Sequence, residues 1–346
     1  MSKAGNRLKY QVEKALKSIN FINQSKKEHR DNKMDTGIHS ISQMKHALSA
    51  SQNFADWLQN EKAVDDLFKL KRAHYRNYIE HLRNKGLSIG HIINVETNLR
   101  LLAKGMDKIS IEKGMKLRDW VPSERIIMAD EKEKPKDRSY NIHELELFYK
   151  NMSENARIAS DLQIAFGLRL KEAAKSRVAH IEERNGRLYW VAVDDKNAIN
   201  KAKGVTKGGR PRKALCHPIH EERIHELIKD KQLHQFISPL TYNSVKNAYY
   251  RAGVGKGSHG YRHTYAREML RLELERRGIE KEGVSMIQRM LENKAAGYRK
   301  DYLVIAAERP LYKQVNEVVD LIHEYLGHGK GRMDLCEVYM KGVMFE

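Results

Sequence analysis

The stretch AGVGKGSHGYRHTYA (residues 252–266) contains two overlapping patterns, each of which could hold a phosphate group. Its first half, GVGKGS, is similar to the glycine-rich loops whose backbone N–H groups surround the phosphates of a nucleotide. Its second half, HGYRH, brings two histidines and an arginine within five residues. The choice between the halves decides whether the chain is organised around a nucleotide or around a phosphodiester.

The glycine-rich half does not satisfy the nucleotide pattern. A Walker A loop needs GxxxxGK followed by Ser or Thr, but Gly257 follows Lys256, and Tyr250 stands where the first glycine is required. HEYLGH (residues 323–328) fails as a zinc motif, because Gly327 occupies the position four residues after the first histidine. Neither a P-loop protein nor a zinc protease is indicated.

The composition favours a nucleic-acid partner. The 346 residues include 64 Lys and Arg against 45 Asp and Glu, a formal net charge of +19. Each phosphate that such a surface neutralises releases condensed counterions, which favours binding. The two cysteines form no CxxC pair, so no disulfide framework or structural zinc site is expected and a reducing cytoplasm fits. No signal peptide or membrane-spanning run is present, so we expect no membrane partner.

Helical periodicity dominates the first 125 residues. Helices are predicted near the N-terminus and over Ser40–Leu58, Ala63–Leu82 and Ser88–Met106. Tyr75 and Tyr78 stand among cations there, and are expected either to follow a nucleic-acid backbone or to lie on a solvated helix face.

The second half is predicted to be helical with a small sheet inserted early. Ser153–Arg177 reads as one long helix, and RLYWVAV (Arg187–Val193) is the clearest strand. KAKGVTKGGRPR (residues 201–212) is predicted as a basic hairpin tip, followed by a strand over about Lys213–Ile219. The fold class is therefore mainly α with a small β-sheet.

A charged stretch separates the two halves. Residues 129–139 (ADEKEKPKDRS) are charged or small except for one proline, and such a composition cannot bury a core. The predicted order is a helical extension (1–38), a helical domain (39–126), a charged linker (127–140) and a second domain (141–346) with an insertion at about 271–315.

Six side chains stand out once the two false motifs are set aside. They are Arg169 in GLRLKE, Lys207 in TKGGRPR, His259 and Arg262 in HGYRH, His328 in LGH, and Tyr339 in CEVYM. Five are cationic or can become so, and one is a phenol. No paired carboxylates accompany them in these motifs, so a two-metal nuclease is not indicated and no metal site is expected.

This set suits phosphoryl transfer onto tyrosine. Charge develops on the equatorial oxygens of a phosphodiester during in-line attack, and preplaced Arg and His donors stabilise it without a metal ion. A phenol, with a pKa of about 10, needs cations or a base to lose its proton. The departing 5′ oxygen of DNA needs a proton in return, and a lysine on a hairpin tip is suited to supply it. Because phosphotyrosine keeps the energy of the broken bond, rejoining needs no ATP, and no cofactor is expected.

The boxes GLRLKE, TKGGRPR, HGYRHT, LGHG and the late tyrosine, in this order, resemble those of the tyrosine recombinase (phage integrase) family. The resemblance spans about residues 141–346, and the joint occurrence of the boxes makes it specific. It implies a C-terminal α+β tyrosine recombinase catalytic domain there. It also implies that residues 39–126 form an N-terminal helical core-binding domain, and that the two domains clamp DNA.

The resemblance implies a role for each residue. Arg169 and Arg262 would bind the scissile phosphate, Lys207 would be the general acid, His259 would assist proton transfer, His328 would donate to the phosphate, Tyr339 would attack, and Glu172 would orient Arg169. The sequence leaves rivals open: Lys201 and Lys203 for the lysine, and Tyr302, Tyr312 and Tyr325 for the tyrosine. His263 is expected to have only a structural role.

Two departures from the family pattern are evident. His259 and His328 stand 69 positions apart, and the extra material is expected to form added helices that contact DNA, contact a partner or, by default, decorate the surface. Only MKGVMFE follows Tyr339, whereas many members of the family carry a longer C-terminal helix that docks onto the neighbouring subunit, so the sequence leaves open whether this tail docks in cis or in trans.

The function predicted from these observations is site-specific DNA recombination through a 3′-phosphotyrosyl intermediate. We expect an integrase of a prophage or other mobile element, bacterial and cytoplasmic, acting on double-stranded DNA as a homo-tetramer across two duplexes, with possible accessory DNA-bending proteins. The alternatives are a type IB topoisomerase and a DNA-binding regulator that has lost catalysis.

Overall fold

The computed structural model describes residues 3–128, 131, 133 and 135–341, with side chains from residue 7 onward. The chain divides into two compact units, the second beginning at Pro135. Both ends of the stretch 127–140 are buried, since Ile127 lies in the core of the first unit and Tyr140 in that of the second. Within the described ranges, no helix is both long enough and apolar enough to cross a membrane.

The first unit is a bundle of helices. In chain order they are α1 (Lys3–Ser18), α2 (Lys26–Asp31), α3 (Ile41–Lys62), α4 (Arg72–Asn84) and α5 (Ile89–Glu112). Ser40 and Ser88 cap α3 and α5, because their hydroxyl groups accept from backbone N–H groups in the first turn of each helix.

Helix α1 is integral to the core of this unit. Its regularly spaced apolar residues, among them Leu8, Val12 and Leu16, are fully buried and pack with α3 and α5. The crossing with α5 depends on Gly105, where an added Cβ would lie 2.0 Å from the carbonyl oxygen of Ala15. Residues 1–38 thus contribute a helix to the same core as their neighbours.

The prediction of a helical stretch over Ala63–Leu82 is wrong in its first half. Ala63 adopts a left-handed conformation that ends α3, with φ of 50°. Asp66 then caps a single 3₁₀ turn, and its carboxylate also accepts from Gln11 of α1, so α4 begins only at Arg72. A side-chain contact from a distant helix overrides the local periodicity here.

Both predictions for Tyr75 and Tyr78 are also wrong. The two rings are buried in the core of the bundle, rather than exposed to solvent or to a nucleic acid. The hydroxyl of Tyr75 donates to Glu96 of α5 at 2.9 Å. The cations that surround these tyrosines in the sequence therefore occupy other faces of α4.

The second unit combines helices with a small antiparallel sheet. Its elements are α6 (Ile142–Asn151), α7 (Glu154–Phe166), α8 (Leu170–Ala174), β1 (Ile181–Arg184), β2 (Arg187–Ala192), β3 (Arg212–Leu215), α9 (Glu221–Ile228), α10 (Tyr242–Arg251), α11 (His259–Arg276), α12 (Glu280–Ala295), α13 (Arg309–Tyr325) and α14 (Met333–Tyr339). The strands lie in the order β1-β2-β3. The prediction of a mainly helical fold with a small sheet is confirmed. Strand β3 is shorter than predicted, and β1 was not predicted because IEER has no apolar alternation.

The predicted long helix Ser153–Arg177 is broken at Gly167. This glycine has a left-handed φ of 60°, and a Cβ there would lie 2.4 Å from the ring of Tyr265. The chain therefore leaves α7 at Phe166 and starts again as α8, with Arg169 at the N-cap position. Because of this break, Arg169 lies at the start of α8 and not on the face of one continuous helix.

The insertion at about 271–315 builds part of the core of this unit and does not merely decorate its surface. Leu274, Met286 and Val315 pack in one apolar cluster with Cys336 and Tyr339. An ion pair between Lys294 of α12 and Glu337 of α14 joins the same elements. The insertion thus provides the surface on which α14 rests.

Candidate active site

The start of α8 places Arg169 and Glu172 against each other. The backbone N–H of Arg169 donates to one carboxylate oxygen of Glu172 at 2.8 Å, and Nη1 donates to the other at 2.9 Å. Glu172 is 1% exposed. Burial raises the pKa of this carboxyl, but Arg212, Arg262 and Arg169 lower it by more, so the group is ionised.

Arg212, at the start of β3, is the main residue of the site that sequence reasoning missed. Its side chain is buried and donates to Glu172, to the carbonyl oxygens of Phe166 and Gly167 at 3.1 and 3.0 Å, and to that of Tyr325 at 2.8 Å. The available signal was an arginine two residues before a buried Ala-Leu pair, where period-2 alternation places it on the same face as Ala214. The arginine holds together the break after α7, strand β3 and the end of α13.

Arg262 of α11 is fully buried beneath this cluster. It donates to the carbonyl oxygens of Gly167 and Leu326. Burial, and then the charges of Arg212 and Arg169, lower the pKa of its guanidinium to about 9, so the group is still cationic at neutral pH. Its charge therefore acts on the pocket from a low-dielectric interior, where electrostatic attraction is stronger than in water.

His328, just after α13, connects two of the arginines. Its Nε2 lies 3.3 Å from Nη2 of Arg169 and 3.1 Å from Nη2 of Arg262. A guanidinium offers only donors, so Nε2 must be the acceptor and the proton must be on Nδ1. Burial, and then the charges of Arg262 and Arg169, lower the pKa of His328 to about 2. The imidazole is therefore neutral at physiological pH.

Tyr339 lies in the same pocket and comes from the same chain. Its side chain is 8% exposed. Its ring centroid lies 5.1 Å from that of His328, and the guanidinium carbon of Arg262 lies 5.5 Å from the centre of the phenol ring. Arg169, Glu172, Arg262, His328 and Tyr339, five of the seven residues predicted from the sequence, are thus brought together.

The other two predicted residues lie at the rim. His259 is the first residue of α11 and Lys207 lies in a single 3₁₀ turn at the hairpin tip, and both are exposed. Partial burial lowers the pKa of His259, followed by the charges of Arg262, Arg169, Arg138 and Lys207. Lys207 is thus close enough to act on His259 electrostatically, although it makes no hydrogen bond to a described residue.

The rivals for these positions have other contacts. Lys201 donates to the carbonyl oxygen of Lys196 at 3.1 Å. The ring of Tyr302 stacks on Tyr298 at 4.3 Å, and Tyr312 lies beside Arg309. Among the described aromatic contacts, none brings Tyr302, Tyr312 or Tyr325 to Arg262 or His328.

His263 was expected to be structural, yet it contacts the tyrosine. It is 3% exposed, and its ring centroid lies 4.6 Å from that of Tyr339. Its position immediately after Arg262 was visible in the sequence, but the contact with α14 was not. His323 of α13, also fully buried, lies behind His328 at 6.4 Å between ring centroids.

The arrangement can bind a phosphodiester and bring a phenol to it. Three arginines supply positive charge, with their positions set by Glu172 and by backbone carbonyl oxygens. The neutral His328 can donate to a phosphate oxygen only in the tautomer that carries the proton on Nε2, which is not the one that its contacts with the arginines select here. A cleft of about 590 Å³, lined by Arg210, Lys213 and Tyr189 among others, adjoins Arg212 and His328.

Comparisons with solved structures agree with this architecture. The site-specific recombinase XerH, bound to difH substrate in a pre-cleavage complex, matches over 97% of this chain and 93% of its own, with 15% identity and a TM-score of 0.53. The chain has the tyrosine recombinase fold. A lambda integrase dimer bound to a COC′ core site also matches, over 89% of this chain and 74% of its own, with 12% identity and a TM-score of 0.51.

The resemblance inferred from the ordered boxes is thus confirmed at the level of the fold. No protein-family model matches the sequence, and no curated protein matches it. The tyrosine recombinase fold is therefore visible in the backbone and in the ordered boxes, but not in overall sequence similarity.

Proposed function

We propose that this protein is a site-specific DNA recombinase that cuts and rejoins DNA through a 3′-phosphotyrosyl bond on Tyr339. The observation that supports this most directly is the grouping of these residues: Arg262 and His328 contact the ring of Tyr339, and Arg169 is bonded to His328. The order of the boxes along a tyrosine recombinase fold supports the same proposal.

The proposed chemistry is an in-line displacement at phosphorus. The scissile phosphate would take the guanidinium N–H groups of Arg169 and Arg262 that now face Nε2 of His328. The bond from the Tyr339 oxygen to phosphorus forms as the bond to the 5′ oxygen breaks. Once these N–H groups have exchanged His328 for the phosphate, Glu172 and the backbone carbonyl oxygens hold the two guanidinium groups in position as charge develops on the phosphate.

The two rim residues would move the protons. The phenol proton leaves with the help of His259, and Lys207 gives a proton to the departing 5′ oxygen. The exposed position of Lys207, without a hydrogen bond to any described residue, suits a group that must meet DNA before it acts. Rejoining is the reverse reaction, with the 5′ hydroxyl as nucleophile.

The first unit would provide further contacts with DNA. A hollow of about 1100 Å³ between α3, α4 and α5 is lined mainly by polar side chains, including Gln43, His46, Asn53, Asn94 and Asn98. Such side chains can donate to and accept from base edges. The net charge of +19 supplies the non-specific attraction to phosphates.

In the proposed reaction four copies act across two duplexes, one strand being cut at each active site, with accessory DNA-bending proteins where the site requires them. The element served would be a prophage or another mobile element in a bacterial cytoplasm. Residues 39–126 and 141–346 would be the core-binding and catalytic domains of this enzyme.

The decisive experiment captures the covalent adduct. The protein is incubated with linear duplexes that carry a random-sequence window, denatured with detergent, and the DNA that remains attached is sequenced. We expect one recurring sequence, attached at a 3′ end with a free 5′ hydroxyl. Tyr339→Phe should abolish the adduct, whereas the matched rival Tyr302→Phe should form it at the wild-type level.

The same assay separates the alternatives. Tight binding of DNA by the wild type without any adduct would contradict the enzyme and favour a DNA-binding regulator. If adducts form, exchange of strands between two duplexes carrying the captured site supports a recombinase. Relaxation of a supercoiled plasmid without exchange would instead identify a topoisomerase.

A further inference from the structure

His263 is a buried histidine beside Tyr339 that the proposed reaction does not use. It follows Arg262 on α11 and is 3% exposed, and its Nδ1 is buried without a hydrogen-bond partner among the described residues. Leaving a buried polar atom unpaired is unfavourable, so such a position calls for an explanation.

The contacts around the ring of Tyr339 explain the position of His263. The phenol ring contacts two imidazole rings, that of His263 at 4.6 Å and that of His328 at 5.1 Å between centroids, with interplanar angles of 40° and 38°. The guanidinium of Arg262 lies over the same ring at 5.5 Å. His263 provides the shortest of these three contacts.

Helix α14 cannot orient the phenol by itself. It has seven residues, and no side chain caps its N-terminus, so it is too short to be stable without tertiary contacts. The direction of the Tyr339 ring must therefore come from its neighbours. His328 is itself bonded to Arg262, whereas the ring of His263 has no hydrogen bond to a phosphate-binding group within the described part of the chain.

We propose that His263 is a positioning residue, whose imidazole ring packs on the phenol of Tyr339 and keeps its hydroxyl directed at the phosphate held by Arg169 and Arg262. This inference rests on the proposed function. It assigns His263 no contact with the phosphate and no proton transfer. Its contribution is to the rate of attack, not to the affinity for DNA.

The test compares two substitutions at this position in single-turnover adduct formation on the duplex captured above. His263→Ala should slow attack about 10–100-fold, because misplacing a reacting group by about 1 Å costs on the order of 100-fold. His263→Phe, which keeps a ring in the contact, should remain within about threefold of the wild type. The Kd for DNA should be unchanged in both variants.

His180→Ala is the matched control. His180 is likewise buried, at 1% exposure, and stacks on an aromatic ring, that of Trp190 at 5.3 Å, but away from Tyr339. It should lower stability without a comparable loss in the rate of attack by the folded protein. A loss of rate equal to that of His263→Ala would show that the effect is general destabilisation and would overturn the proposal.

A second measurement bypasses the tyrosine. In a Tyr339→Ala background, hydrogen peroxide can serve as the nucleophile that cleaves the same duplex. If His263 acts only through Tyr339, adding His263→Ala should leave the peroxide-dependent rate unchanged. A further loss there, or a His263→Phe variant as slow as His263→Ala, would contradict positioning by ring contact.

The two proposals fail in different ways. If the wild type forms no adduct with any duplex, the proposed function is wrong. If the wild type forms the adduct and His263→Ala forms it equally fast, only the assignment of His263 is overturned.

Discussion

Glu96 in the first unit and Glu172 in the second are both buried carboxylates, with 0% and 1% exposure, but they bind different partners. Glu96 accepts from neutral donors, the hydroxyl of Tyr75 at 2.9 Å and the backbone N–H groups of residues 126 and 127 at 3.0 and 3.4 Å. Glu172 accepts mainly from the guanidinium groups of Arg169 and Arg212.

The difference separates a structural use of a buried charge from a chemical one. All the hydrogen bonds of Glu96 come from neutral donors, which attach the chain after α5 to the helices, and the cation paired with it, Arg125, lies 4.0 Å away without a hydrogen bond to it. Glu172 instead holds cations that repel one another and would otherwise not remain close together in a low-dielectric interior. The first arrangement fixes a segment of backbone, whereas the second keeps positive charge available at one place.

The largest expected effect is on the rate of adduct formation, and it comes from substituting Lys207, a cation of the candidate site that does not pair with Glu172. Lys207→Ala should slow formation of the 3′-phosphotyrosyl adduct roughly 10²–10⁴-fold, the usual range for loss of a general acid. Lys201→Ala is the control on the same hairpin, since Lys201 is bonded to the carbonyl oxygen of Lys196.

A substrate with a 5′-thiol leaving group needs no such acid, so it should restore the rate of Lys207→Ala. If the thiol substrate is as slow as the normal one, Lys207 acts in DNA binding and not in proton transfer. The measurement compares single-turnover rates of adduct formation on the normal duplex and on the duplex with the 5′-thiol leaving group.

Glu172→Gln should be the next largest change. Removing the carboxylate leaves buried arginines without their counter-charge, which costs roughly 3–5 kcal/mol of stability, and it should also slow adduct formation because Arg169 loses its orientation. Urea denaturation and single-turnover kinetics test the two effects. An unchanged unfolding midpoint would contradict the view that Glu172 holds the arginine cluster together.

Acid should destabilise the second unit. Burial lowers the pKa of His180, His263 and His323 to about 4 and that of His328 to about 2. In the unfolded chain a histidine titrates near about 6.5, so below that pH the unfolded state binds more protons and stability falls.

Hydrogen exchange at pH 7 and pH 5, at constant ionic strength, measures the change in stability of each unit separately. We expect the amides of α11 and α13 to lose protection at pH 5, after correction for the intrinsic exchange rate. Equal or greater protection at pH 5 would show that these histidines do not control stability.

Glu96→Gln should have the smallest effect. An amide oxygen can still accept from Tyr75 or from one of the backbone N–H groups, so the cost should be about 1–3 kcal/mol. Adduct formation per folded molecule should be unchanged. Urea denaturation followed by the fluorescence of Trp120, which lies in the same core, measures the loss; a cost as large as that of Glu172→Gln would remove the distinction between the two centres.

Much of the fold follows from local pattern. The buried faces of α1 and α5, the serine caps and strand β2 all lie where periodicity and composition predict them. The predictions of helix boundaries fail where a contact with a residue distant in the sequence determines the local structure. Asp66 is held by Gln11 and delays α4, and the ring of Tyr265 leaves room only for glycine at residue 167.

The candidate site shows the same limit. Residue types and the order of the boxes along the chain were enough to select Arg169, Arg262, His328 and Tyr339. They did not reveal the contact of His263 with Tyr339, or the bonds that Arg212 makes to Glu172 and to three carbonyl oxygens. No short-range pattern records these contacts.

The sequence by itself determined the fold class, the positive charge and the chemical types of the groups in the pocket. The tertiary structure alone decided which of them meet: Arg169 and His328 are separated by 159 residues, yet lie 3.3 Å apart. The physical reason is that helices and strands depend on hydrogen bonds and side-chain spacing over a few residues. Contacts between distant residues depend on how the apolar faces of whole elements pack, and that packing is settled by the entire chain at once.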